Sequence, residues 1–117
     1  MSKISILLLT TLLIFSNAIF AISVADKAME IAKNKAADFV RIVELNENEA
    51  SKIYKILLAK EQSNMLARQD YKADKEGFKA ATKPLNKKYN RQIKDVIGKN
   101  KMKKMNQFYK AQRAANK

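Results

Sequence analysis

The chain has 117 residues, with 24 Lys and Arg against 11 Asp and Glu, and it contains neither cysteine nor histidine. Without cysteine it forms no disulfide, and without histidine it lacks the commonest metal ligand and the usual general base. It also has no Gly-rich phosphate loop and no serine in a nucleophile setting. We therefore expect a binding protein without a cofactor, and not an enzyme.

The first 25 residues are typical of a secretory signal peptide. Lys3 precedes an almost wholly apolar run over residues 4–15, and small residues then precede two possible cleavage points, of which the later, after Ala25, is preferred. A membrane anchor is the alternative, but Ser16 interrupts the run before the roughly 20 apolar residues that a span requires. The sequence predicts a cleaved leader, residues 1–25, and a single exported all-helical domain, residues 26–117.

Apolar periodicity predicts four helices in that domain. The first runs from about residue 26 to 43 and carries apolar side chains at steps of three and four residues. The second begins at Asn46, is the longest, and ends near Gly77 after a polar stretch. The third is expected to start around Thr82, and Pro84 is tolerated in a first turn because its missing N–H costs nothing there.

Gly98 separates the third helix from a fourth, which we expect to span about residues 99–114. The fourth has Met102, Met105, Phe108 and Tyr109 at the spacing of core residues. We expect each tyrosine of the chain to be a half-buried packing residue whose hydroxyl contacts water. The fold class predicted from these segments is all-α, a four-helix hairpin-like bundle with a long second helix.

Positive charge is concentrated in the last third of the chain. Residues 26–78 contain ten Lys and Arg and ten Asp and Glu, whereas residues 79–117 contain thirteen Lys and Arg and only Asp95. Such a block attracts anionic partners such as nucleic acid, acidic lipid or acidic polypeptide, although a solvated helix face is an equally good interpretation.

The sharpest local motif opens the second helix. Leu45-Asn46-Glu47-Asn48-Glu49 predicts a capping box, in which the Asn46 side chain accepts the N–H of Glu49 and the Glu49 side chain reaches back. This segment resembles the Leu-Thr-x-x-Gln motif that occurs twice in Spy/CpxP-type periplasmic proteins, each time at the start of a helix. A second copy, Ile97-Gly98-Lys99-Asn100-Lys101, departs strongly from that pattern, while residues 89–97 and 105–109 look like the family's segments on either side of it.

The resemblance covers roughly residues 28–113 and implies a hairpin-like protomer that dimerises into a thin curved cradle. It also implies ATP-independent binding of unfolded clients, or partnership with an envelope-stress sensor kinase. By analogy with the family's basic and apolar concave surface, ten residues are candidates for client binding: Lys52, Lys55, Met65, Leu66, Arg68, Lys72, Phe78, Lys87, Arg91 and Lys94.

Two other function classes compete with this hypothesis. A secreted cationic protein could bind nucleic acid or anionic lipid through residues 79–117, although no nucleic-acid motif is present and the aromatic residues have core spacing. A periplasmic metal sensor is disfavoured because no His or Cys is available and nothing is spaced as a ligand set. Only Met102 and Met105 would suit Cu(I).

Overall fold

A computed structural model describes residues 25–116. Within this range it contains four α-helices and no strand: α1 covers residues 25–43, α2 Glu47–Asp70, α3 Lys75–Ile97 and α4 Lys99–Ala115. The all-α prediction is confirmed. With 24 residues, α2 is longer than α3 and α4. The predicted leader, residues 1–25, lies outside the described range apart from Ala25.

Contacts between side chains show that consecutive helices run antiparallel. The Lys35 side chain on α1 donates a hydrogen bond to Glu61 on α2, and Lys60 on α2 donates one to Asn90 on α3. The helices α1 and α2, and likewise α2 and α3, therefore lie side by side in opposite directions. The fourth helix returns along α1, since Lys101 near the start of α4 donates to the carbonyl of Glu44 near the end of α1. Among the described residues, no helix is long and apolar enough to cross a membrane.

The two ends of the bundle are built from different side chains. At what we call the closed end, residues 39–57 and 93–108, large apolar side chains from all four helices form the core: Phe39, Val43, Ile53, Leu57, Ile93, Ile97 and Met105. At the hairpin end, residues 61–89, buried positions are small or polar, namely Glu61, Ala67, Thr82 and Tyr89. Hydrophobic burial therefore stabilises chiefly the closed end.

The predicted boundary between α2 and α3 is wrong. α2 ends at Asp70, and α3 begins at Lys75, seven residues before the expected start at Thr82. Asp74 is the N-cap, because its Oδ1 accepts the Gly77 N–H at 2.9 Å. Gly77 therefore lies in the first turn of α3 and does not terminate α2.

Pro84 consequently lies inside α3 and not in its first turn. Its ring nitrogen cannot donate to the carbonyl four residues earlier, which costs about 3 kcal/mol in an isolated helix. The helix continues because buried Thr82 and Tyr89, on either side of Pro84, pack within the bundle. Thr82 Oγ1 also donates to the carbonyl of Phe78 at 2.8 Å.

Both predicted starts of helices at the closed end are observed. The capping box of α2 is formed, with the Glu49 N–H 2.8 Å from Asn46 Oδ1 and the Asn46 N–H 3.2 Å from Glu49 Oε1. Gly98, by contrast, caps α4 without a side-chain hydrogen bond and has a φ of 88°, which disfavours any side chain at this position. Glycine is required there by the turn between α3 and α4.

Candidate binding cleft

All four helices contribute to one cleft beside the apolar core. Its volume is about 490 Å³. α4 supplies half of the lining through a stripe of six residues along one face of that helix: Met102, Met105, Asn106, Tyr109, Lys110 and Arg113. The stripe changes from apolar to basic toward the C-terminus, so the cleft is amphipathic along its length.

The floor and the rim of the cleft differ in chemistry. Phe39, Leu57, Ile93 and Met105 are buried and form an apolar floor. Four cations lie around it: Lys35 and Lys60 are half-buried, and Lys110 and Arg113 are exposed. No carboxylate is found among the described residues that line the cleft. The lining is therefore positively charged over an apolar base.

Lys35 and Lys60 are adjacent in this lining, but only one of them has an acidic partner. Lys35 Nζ lies 2.7 Å from Glu61 Oε1, and that carboxylate is itself almost fully buried. Lys60 Nζ has only a long hydrogen bond of 3.4 Å to Asn90 Oδ1. Burial, followed by the positive charge of Lys35, lowers the pKa of Lys60 below its ordinary value, and Glu61 opposes this only in part.

Tyr109 lies on the α1 side of the cleft, packed between aromatic rings. Its ring centroid is 6.3 Å from that of Phe39 and 5.3 Å from that of Phe108. Its hydroxyl is buried without a hydrogen-bond partner among the described residues, so the expectation that the tyrosine hydroxyls contact water is wrong here. Burial, and secondarily the charge of Asp38, raise the pKa of Tyr109 to about 12.

A polar seam continues from the cleft into the hairpin end. Ser63 Oγ and the Tyr89 hydroxyl are 3.0 Å apart across the α2–α3 interface. The Oδ1 atoms of Asn64 and Asn86 are buried without a partner in the described part of the chain. Unpaired buried amides weaken this interface, because each loses its bonds to water and gains none in return.

The ten residues predicted to bind clients are distributed over several parts of the molecule. Six belong to the hairpin end: Met65, Leu66, Arg68, Lys72, Phe78 and Lys87. Within this group the Arg68 guanidinium lies 5.8 Å from the centre of the Phe78 ring, and Leu66 is 60% exposed.

The four candidates outside the hairpin end are exposed cations, as is Lys87 within it. Lys52 and Lys55 lie on the second and third turns of α2. Lys87 and Arg91 line one groove along α3, and Lys94 lines another groove between α3 and α4. None of the ten lines the cleft.

The residues of the cleft were absent from the sequence-based candidates. Lys35 and Lys60 are ordinary helix-surface residues by periodicity, and only the packing of α1 on α2 brings them together. The sequence does contain a pattern that points to the α4 residues of the cleft: Lys110 and Arg113 continue, at helical spacing, the stripe that begins with Met102 and Met105. That stripe was interpreted as core, which holds fully for Met105.

Within residues 25–116, no group of three or more acidic, cysteine or histidine side chains is placed to hold a metal ion. Comparisons with protein-family models, with curated proteins and with solved structures find no match to this chain.

Proposed function

We propose that this chain is a periplasmic, ATP-independent chaperone-like protein, not an enzyme, that holds unfolded acidic polypeptides on a basic, partly apolar surface. One observation carries the proposal. The described residues contain two salt bridges, Lys35–Glu61 and Arg41–Asp38, and neither uses a cation of α3 beyond residue 78 or of α4. The positive charge of residues 79–116 is therefore largely uncompensated by ion pairs in the described structure.

That charge is also accessible. Of the twelve Lys and Arg in residues 79–116, all but the half-buried Lys101 are exposed. A concentrated field of one sign raises the local concentration and association rate of oppositely charged chains. Leu66 and Tyr71 at the hairpin end are exposed apolar side chains that offer local contacts to a bound client. The ten candidate residues listed above are proposed to act in this way.

Suppression of client aggregation tests the proposal. We expect the protein to suppress aggregation of a reduced acidic client and to have much less effect on a reduced basic client of similar length. No suppression of either client at stoichiometric excess would contradict the proposal. Added salt should weaken suppression, since exposed charges are screened within about 8 Å at physiological ionic strength.

Charge-matched variants locate the surface. The double substitution Lys87→Gln/Arg91→Gln removes two exposed charges from one groove of α3. Lys27→Gln/Lys33→Gln removes two exposed charges from α1, in the part of the sequence where charges balance. We expect the first pair to raise the concentration for half-suppression severalfold and the second to leave it nearly unchanged. Equal effects would indicate that net charge alone matters.

The same uncompensated charge supports a second candidate, a secreted cationic protein that binds nucleic acid or anionic lipid. Titration with duplex DNA separates the two candidates. Binding that persists near physiological salt with a steep salt dependence, without suppression of aggregation, would select this alternative. Absence of duplex binding under those conditions would remove its nucleic-acid form.

We also propose that the protein acts as a homodimer, with an envelope-stress sensor kinase as a further partner. A dimer would present two basic faces to one long client. Once the client has bound the first face, the second is at a high effective concentration, so the dimer binds the client more tightly than a monomer does. Light scattering of the purified protein tests the first part, and a monomer at working concentration would contradict it.

A further inference from the structure

The cleft between the four helices has the size of a small-molecule site. Its volume of about 490 Å³ lies within the range of about 300–1,000 Å³ that such sites occupy. Its buried floor and exposed rim leave one side open to solvent, through which a ligand can enter. It is separate from the ten residues proposed to hold clients.

The lining favours a ligand with two chemically different ends. An inorganic anion would use the cations but not the apolar floor formed by Phe39, Leu57 and Ile93. A neutral apolar molecule would use the floor, but the cations beside it would lose water without gaining a partner. Only a molecule with an anionic head and an apolar tail uses both.

Three cations are available to the head. Lys35 is already bound to Glu61, whereas Lys60, Lys110 and Arg113 have no carboxylate within salt-bridge distance among the described residues. Lys60 matters most, since it is half-buried and its single hydrogen bond, to Asn90, is long. A half-buried ammonium without a carboxylate partner carries a desolvation cost, and an anion beside it reduces that cost.

A peptide segment fits this cleft less well than an acyl chain. Each residue of a bound peptide brings a backbone N–H and C=O that need partners when buried. The floor is formed by aliphatic, thioether and aromatic side chains, and amides are limited to Asn90 and Asn106. A hydrocarbon chain has no such groups to satisfy.

We propose that the cleft binds a single-chain amphiphilic anion, with its head group between Lys60, Lys110 and Arg113 and its chain along the floor toward Met102 and Met105. The shared chemistry is a linear alkyl chain with a carboxylate or phosphate head. This site does not depend on the proposed chaperone function.

Calorimetric titration of the purified protein, below the micelle concentration of each ligand, tests the site. We expect saturable binding of one dodecanoate per chain, at least about 10-fold weaker binding of dodecanol, and no binding of acetate, since a charge-assisted bond to the head contributes about a factor of 10 or more. Dodecyl phosphate is the second arm, and whichever anion binds more tightly identifies the natural head group. Equal affinity for dodecanol and dodecanoate, or no saturable binding, would overturn the proposal.

Variants place the head group. Lys60→Met keeps the length of the side chain without its charge and should weaken dodecanoate binding about 10-fold, whereas Lys60→Arg should retain it within a few fold. Lys110→Gln should weaken binding severalfold, and Lys104→Gln, an exposed lysine of the same helix outside the cleft, should not. Equal losses in these two glutamine variants would show a nonspecific charge effect and overturn the assigned site. Circular dichroism of each variant confirms that the helices are intact.

Discussion

The closed end and the hairpin end of this bundle share helices α2 and α3, but different kinds of side chain stabilise them. At the closed end, side chains such as Ile53, Ile93 and Met105 are almost completely buried. At the hairpin end, the buried side chains are alanine, threonine, glutamate and tyrosine, and the Oδ1 atoms of two asparagines are buried without a partner among the described residues.

This difference predicts different responses to thermal motion. Regions with few buried apolar contacts open locally at a lower free energy than the core. We expect the hairpin end to open while the closed end stays packed, which would expose Phe78 and its neighbours beside the already exposed Leu66. The end proposed to contact clients would then be the less stable one.

The largest expected effect comes from a core substitution at the closed end. Ile53→Ala removes a side chain with no solvent exposure, so it leaves a cavity and should lower the free energy of unfolding by about 2–5 kcal/mol. Leu66→Ala, at the hairpin end, removes a side chain that is 60% exposed and should change it by less than about 0.5 kcal/mol. Urea denaturation followed by circular dichroism measures both, and similar losses would refute the comparison.

The two N-caps give a smaller and more local test. Asn46 caps α2 at the closed end and Asp74 caps α3 at the hairpin end, each by accepting a backbone N–H three residues on. Replacement of either by alanine should cost about 1 kcal/mol. For Asn46→Ala we expect the loss in global unfolding, whereas for Asp74→Ala we expect faster amide exchange in α3 near the turn. Hydrogen exchange read out by mass spectrometry distinguishes these results, and uniform acceleration in both variants would argue against independent opening.

The sequence predicted those features that neighbouring residues determine. The capping box depends on Asn46 and Glu49 alone, and the buried stripe of α2, with Ile53 and Leu57, follows from helical spacing. Gly77 predicts the end of a helix, so the sequence places the start of α3 too late, at Thr82. The local cap at Asp74 and the packing of α3 on α2 outweigh the low helix propensity of that glycine.

The residues that line the cleft could not be predicted from the sequence, for a different reason. Its members come from four helices, and which lysines face inward depends on how far one helix is displaced along another. Lys60 and Lys52 are both lysines of α2, yet Lys60 lines the cleft and Lys52 is exposed outside it. No pattern within α2 separates them without knowledge of where α1 and α3 pack.

An effect confined to alkaline pH concerns Tyr109, which borders the closed end. Because its pKa in the folded protein, about 12, is above its ordinary value of 10.0, the neutral phenol is favoured by folding. That stabilisation is complete below pH 10 and is lost as the pH rises from 10 to 12. After a discount for partial exposure it amounts to about 1 kcal/mol.

Tyr109→Phe isolates this contribution from the deprotonation of lysines in the same range. At neutral pH the variant should be as stable as the parent or slightly more so, because the hydroxyl that it removes has no hydrogen-bond partner among the described residues. Between pH 10 and 12 the parent should lose more stability than the variant, by about that 1 kcal/mol. The measurement is the difference between their urea midpoints at each pH. Parallel curves would mean that the hydroxyl reaches water, and the closed end would then be less tightly packed than the burial of its other side chains indicates.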